Sequence, residues 1–134
     1  METVIEIVSG NSVEQVRGEL EAACNRHQFG VLAVHDLRAK MRDKGVDFEK
    51  ECLVFEVCNP HKAKTVLEDD LRISTALPCR ISVFRQGDST HLATIRPGLM
   101  LQMFGSPDLA PVAEEVENTL IDIMNEAAGP NPTR

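Results

Sequence analysis

The sequence predicts an α+β fold, a two-layer sandwich in which a largely antiparallel five-stranded sheet carries helices on one face. Five segments have the alternation or β-rich composition of strands, and two long segments repeat apolar residues at helical spacing. The last two strands are joined by a short turn at residues 86–88, which indicates a hairpin. The length of 134 residues predicts one domain over 1–128, followed by a disordered tail at 129–134.

The first half of that domain begins with an alternating strand at residues 2–9. Ser12 and Gln15 have the spacing of a capping box and predict the start of the first long helix. The nearly continuous apolar run at 29–37 predicts a buried second strand, and 38–44 predicts a short, mostly basic helix.

A third strand is predicted at residues 51–58, and its two faces differ in character. One face is apolar and the other is only half apolar, so the second face can be solvated, line a cleft or meet another subunit. The apolar face holds Leu53, Phe55 and Val57, and the mixed face holds Cys52, Val54, Glu56 and Cys58.

Asn59 and Pro60 then predict the start of a helix, with Asn59 as N-cap and Pro60 in the first helical position. The apolar side of this helix is predicted to hold Ala63, Val66, Leu67 and Leu71. Pro78 opens a fourth strand, the fifth spans 89–96, and a last long helix begins at Ser106-Pro107 and ends at Ala128.

Composition excludes several classes of function. A net charge of −7 opposes binding to nucleic acid or anionic membranes, and the absence of Trp and Tyr removes the usual stacking platforms for bases. No secretory signal or membrane-spanning run is apparent, so we expect a cytoplasmic protein with four reduced cysteines and no partnership with membranes or nucleic acid. No cofactor is predicted, because phosphate-binding loops and HExxH motifs are missing.

Five short segments carry a resemblance to a known family. They are Phe29-Gly30-Val31-Leu32, Lys44-Gly45, Val54-Phe55-Glu56-Val57-Cys58-Asn59-Pro60, Ala76-Leu77-Pro78-Cys79-Arg80-Ile81-Ser82-Val83 and Arg96-Pro97. With the framing strand and helices, the chain resembles domain-of-unknown-function family 302 (DUF302). The resemblance implies a compact α/β domain that commonly forms homodimers, and it implies no established activity. Cys58 and Cys79 replace a common glycine and aliphatic residue of that pattern.

These cysteines and His61 form the first candidate site. Cys58 precedes a helix start, where the helix dipole favours a thiolate, and His61 in the first turn can serve as base or ligand. Cys79 begins the next strand and can act with Cys58 in redox or sulfur-handling chemistry. The alternative is that both are buried packing residues, as free cysteines usually are.

Two further sites remain open. The spacing C-x5-C-x2-H-x17-C, formed by Cys52, Cys58, His61 and Cys79, has soft-metal ligand types but matches no common zinc pattern, so no metal is predicted. A basic run can bind an anion or can simply be a solvated face; it comprises Arg38, Lys40, Arg42 and Lys44.

The sequence therefore leaves two functions, both in a homodimer and neither requiring catalysis. The first is a thiol-based redox, sulfur-handling or sensing module with a thiol partner. The second is a binding module for an anionic or apolar small molecule, in which the cysteines are structural. An accessible, acidic Cys58 thiol favours the first function, and a buried one favours the second.

Overall fold

The computed structural model describes residues 2–130, and its centre is one five-stranded sheet. The strand order is β1-β5-β4-β3-β2, and all four neighbouring pairs are antiparallel. The predicted α+β fold is thus confirmed, while residues 131–134 of the predicted tail lie outside the described residues. The strands are β1 Val4–Ser9, β2 Gly30–Asp36, β3 Cys52–Cys58, β4 Cys79–Gln86 and β5 Ser89–Ile95.

Five α-helices and two 3-10 segments complete the described chain. The predicted capping box at Ser12 is present, and the Asn59 side chain caps the helix that Pro60 opens. None of these helices combines the length and apolar character that crossing a bilayer requires. The helices are α1 Val13–Arg26, α2 Leu37–Asp43, α3 Pro60–Asp69, α4 Pro97–Gln102 and α5 Ala110–Ala128, and the 3-10 segments span Leu71–Ala76 and Pro107–Leu109.

One predicted feature of α3 is wrong. Leu71 was expected on its apolar side, but the helix ends at Asp69 and Leu71 is 76% exposed. The reason is local, because Asp70 is extended and its carboxylate accepts a hydrogen bond from the Arg72 backbone N–H at 2.9 Å. That cap starts a new 3-10 segment and ends the α-helical repeat.

The main core lies between one face of the sheet and helices α1 and α5. The predicted alternation of β3 is confirmed, since Phe55 is fully buried opposite Ile81 of β4. Ser9 at the end of β1 donates a hydrogen bond of 2.6 Å to the carbonyl oxygen of Ala128, which ties the sheet to the end of α5.

A second, smaller apolar cluster lies beside this core. It centres on three buried residues, Val66 of α3, Ile73 of the following 3-10 segment and Leu109 before α5. The connection between β3 and β4 therefore rests on its own cluster, and a seam separates that cluster from the main core.

The other face of the sheet has mixed polarity, as predicted. Phe84 and His91 stack there with ring centroids 5.3 Å apart, and His91 Nδ1 lies 2.6 Å from a Glu6 carboxylate oxygen. Arg80 Nη2 donates to Glu56 at 3.2 Å on the same face. This open face carries charges of both signs between apolar side chains.

Candidate binding cleft

A narrow apolar cleft of about 40 Å³ lies at the seam between the two clusters. An apolar space of this kind is not stabilised by ordered water, since water needs two or more polar partners. Its walls come from the ends of β3 and β4, from α3 and the 3-10 segment after it, and from α4 and α5. The lining residues are Phe29, Val57, Cys58, Asn59, Lys62, Ala63, Val66, Ile73, Ala76, Leu77, Cys79, Pro97, Met100, Leu101, Val112 and Val116.

Local sequence explains why these walls meet. Asn59 ends β3 and caps α3, so the chain turns directly from the sheet into one wall of the cleft. Pro97 similarly ends β5 and opens α4, which supplies Met100 and Leu101 to the opposite wall. Methionine is adaptable in shape, so this wall can adjust to an occupant.

The structure brings Cys58 and Cys79 to this cleft. Cys79 pairs with Val57 across β3 and β4, and Cys58 is the next residue along β3. The pKa of Cys79 is raised to about 11, mainly by burial and to a smaller extent by the neighbouring Cys58. Burial also raises the pKa of Cys58. Both thiols are therefore protonated at neutral pH.

The mouth of the cleft carries an ion pair between two of its walls. Lys62 on α3 lines the cleft, and its ammonium group pairs with the carboxylate of Glu115 on α5. The two side chains are 37% and 60% exposed, so the pair is open to water. Exposed pairs of this kind contribute less than about 1 kcal/mol, so the contact is easily exchanged.

The remaining predicted site residues lie elsewhere. His61 is exposed on α3 and is not among the residues that line the cleft, and Cys52 lies at the other end of β3. Within residues 2–130, no three His, Cys, Asp or Glu side chains are placed to hold a metal ion.

The basic run of α2 is mostly solvated. Arg38 is half-buried and donates to the Glu49 carbonyl oxygen at 3.2 Å, whereas Lys40, Arg42 and Lys44 are exposed. These side chains line neither the apolar cleft nor a second, larger groove between α4 and α5. Anion binding by this run therefore stays a prediction.

A larger and more polar groove of about 680 Å³ lies between α4 and α5. Two of its half-buried charges are paired with each other, because Arg96 Nη1 donates to Glu117 Oε2 at 2.8 Å. The other Glu117 oxygen accepts from the backbone N–H of Gly98 at 3.3 Å. This pairing stabilises the packing of α4 on α5 and leaves neither of these two groups unpaired for a ligand.

Lys62 was the functional candidate that sequence reasoning missed. A signal existed, because Lys62 and Val66 are four residues apart and so share one side of α3. Nothing in the local sequence indicated that this side of α3 would face α5 across an apolar space.

Comparison with known proteins supports the fold and the family. The model of the family "Domain of unknown function DUF302" matches residues 5–127, so the chain belongs to the DUF302 family. It is similar to the crystal structure of an uncharacterized conserved DUF302 protein from Bacillus stearothermophilus, with 25% identity and a TM-score of 0.90. That match covers 96% of this chain and 100% of the other. No curated protein matches the chain.

Proposed function

We propose that this protein is a cytoplasmic, homodimeric binding module that holds the apolar part of a small molecule in the cleft between its two clusters. The observation that carries the proposal is the cleft itself, which is walled almost entirely by apolar side chains. Ligand sites in proteins are typically concave and mostly apolar, with a few polar groups that orient the ligand. Here Lys62 and Asn59 are those polar groups.

The state of the cysteines favours binding over thiol chemistry. A reactive thiol needs a lowered pKa and access to solvent, whereas Cys79 is 8% exposed with a pKa of about 11. The Cys58 pKa is raised as well, and His61 is not among the residues that line the cleft. Cys58 and Cys79 therefore act in this proposal as small apolar wall residues.

Xenon is a suitable probe, because this neutral atom enters dry apolar cavities. The experiment records carbon-13 methyl spectra of the full chain under increasing xenon pressure. We expect saturable shifts for the methyl groups of Val57, Val66 and Ile73, which line the cleft, and little change for Leu20 in the main core. Absence of shifts, or equal shifts at all four residues, contradicts a binding cleft at this seam.

The homodimer is a separate part of the proposal and uses the open sheet face. That face has exposed apolar edges at Val4 and Ile95, which are 43% and 49% exposed, around paired charges of both signs. A surface with both signs can complement a second copy of itself across a two-fold axis.

Ala93 offers a way to test this interface, because it lies on the open face between its strand partners Glu6 and Ser82. Light scattering of the full chain is expected to give twice the chain mass, and Ala93→Arg is expected to give the monomer. Ala22→Arg, on the exposed side of α1, is the matched control and is expected to leave the dimer intact. A wild-type monomer, or a dimer that survives Ala93→Arg, contradicts this interface.

A further inference from the structure

We infer, resting on the binding function proposed above, that the ligand is a short-chain monocarboxylate. Its alkyl chain occupies the apolar cleft, and its carboxylate takes the place of Glu115 at the ammonium group of Lys62. The inference combines the polarity of the cleft walls with the position of a single exchangeable cation at the mouth.

Lys62 is the group that selects an anion. It is the one cationic side chain among the residues lining the cleft, and its present partner is the Glu115 carboxylate on α5, a helix that also contributes lining residues. A ligand carboxylate can make the same charge-assisted contact while it also buries an alkyl chain, which Glu115 cannot do from α5. The exchange therefore replaces one carboxylate by another and adds apolar contact.

The start of α3 restricts how the anion is held. The backbone N–H groups of His61 and Lys62 already donate to Asn59 Oδ1 at 3.0 and 3.2 Å, and that of Ala63 donates to the Asn59 carbonyl oxygen at 2.9 Å. These amides are engaged in the cap, so the anion depends on the Lys62 side chain. The Asn59 side-chain NH2 group is not needed for the cap and provides a second donor.

The same walls exclude related molecules. A dicarboxylate would bring a second charge into the apolar part of the cleft, where no cation lines the wall, and burying an unpaired charge is strongly unfavourable. The volume of about 40 Å³ holds about two carbon atoms without rearrangement, and the adaptable Met100 side chain in the wall can move to admit a third. The preferred ligand has one carboxylate and a short, uncharged chain.

The test compares butyrate, 1-butanol and succinate by titration into the full chain, monitored through the methyl groups of Val57 and Ile73. Butyrate is expected to bind at least about tenfold more tightly than 1-butanol, as one charge-assisted contact predicts, and about tenfold more tightly than succinate. Lys62→Met is expected to reduce butyrate affinity to the level of 1-butanol without changing 1-butanol binding. Glu115→Gln, which removes the competing carboxylate, is expected to strengthen butyrate binding severalfold.

Matched controls lie on the same helix. Lys64 and Glu68 form an exposed pair at 2.7 Å and do not line the cleft, so Lys64→Met and Glu68→Gln should leave butyrate affinity unchanged. Equal affinity for butyrate and 1-butanol, equal affinity for butyrate and succinate, or butyrate binding that survives Lys62→Met overturns the carboxylate assignment. In those cases xenon or 1-butanol binding still supports the cleft. If neither xenon nor 1-butanol binds, the proposed function fails, and the carboxylate assignment fails with it.

Discussion

Filling the cleft with protein atoms should stabilise the fold and block the ligand together. Ala63 lies on α3, is half-buried and lines the cleft, so Ala63→Val places two additional carbon atoms at its wall. An unfilled cavity destabilises a protein by about 24 cal/mol per Å³. The cleft volume of about 40 Å³ therefore corresponds to about 1 kcal/mol. Valine lowers helix stability by about 0.5 kcal/mol relative to alanine, which leaves a net gain of about 0.5 kcal/mol.

Ala22 provides the matched control, because it is an exposed alanine in α1 and does not line the cleft. Ala22→Val should lose about 0.5 kcal/mol through helix propensity alone. Urea unfolding at equilibrium should then separate the two variants by about 1 kcal/mol, or about 4 °C in Tm. Ala63→Val should also lose xenon binding. If Ala63→Val is as destabilising as Ala22→Val, or if it retains xenon binding, the reasoning from cavity volume is refuted.

Three further predictions concern ionisable groups. Cys79→Val should change the free energy of unfolding by less than about 1.5 kcal/mol, whereas Cys79→Ser should lose about 1–3 kcal/mol because the introduced hydroxyl lacks a partner. Urea unfolding distinguishes the two variants, and equal losses would contradict a packing role for Cys79. Because burial raises the pKa of Cys79 from 9.0 to about 11, the unfolded chain loses this proton first, so stability should fall as pH rises above about 9. Urea unfolding between pH 8 and pH 10.5 should give a flatter profile for Cys79→Val, and parallel profiles would contradict the burial of this thiol. Hydrogen bonds, the larger from His27 and the smaller from Arg26, lower the pKa of Glu126, so this carboxylate stabilises the fold above its unfolded pKa of 4.5 and loses that effect as pH falls. The difference in the free energy of unfolding between wild type and Glu126→Gln should therefore be larger at pH 7 than at pH 3. The reverse order would contradict this assignment.

Local patterns were sufficient to predict most of the sheet. The alternation of β3 predicted which of its residues are buried, because neighbouring side chains of a strand point to opposite faces. Asn59 and Pro60 predicted the start of α3, because capping and a fixed φ act within one turn of the chain. Such signals do not depend on which elements meet in the folded protein.

Two further local signals set element boundaries. Asp70 is a capping residue that ended α3 before Leu71, and it changed the expected helix into a helix followed by a 3-10 segment. The fifth strand is predicted to end at residue 96, and Pro97, which follows it, also occupies the first position of α4. Asp70 is an N-cap and Pro97 a first helical residue, the same two roles that Asn59 and Pro60 have at the start of α3.

The candidate cleft was beyond prediction from the sequence, because it depends on contacts between distant parts of the chain. The sequence groups Cys58 and Cys79 as one candidate site, and both line the cleft. The raised pKa of Cys79 arises from its burial, which the sequence pattern did not quantify. Similarly, the role of Lys62 follows from its pairing with Glu115, a residue 53 positions away in the chain.

A crystal structure of the full chain under xenon pressure tests the central claim most directly, because xenon scatters strongly and needs no polar partner. An ordered xenon atom between Val57 and Val66 is the predicted result, and its absence in crystals of Ala63→Val under the same pressure is the predicted control. Wild-type crystals with xenon bound only outside this cleft, or with no xenon bound, would contradict the claim that the seam between the two apolar clusters is a binding site.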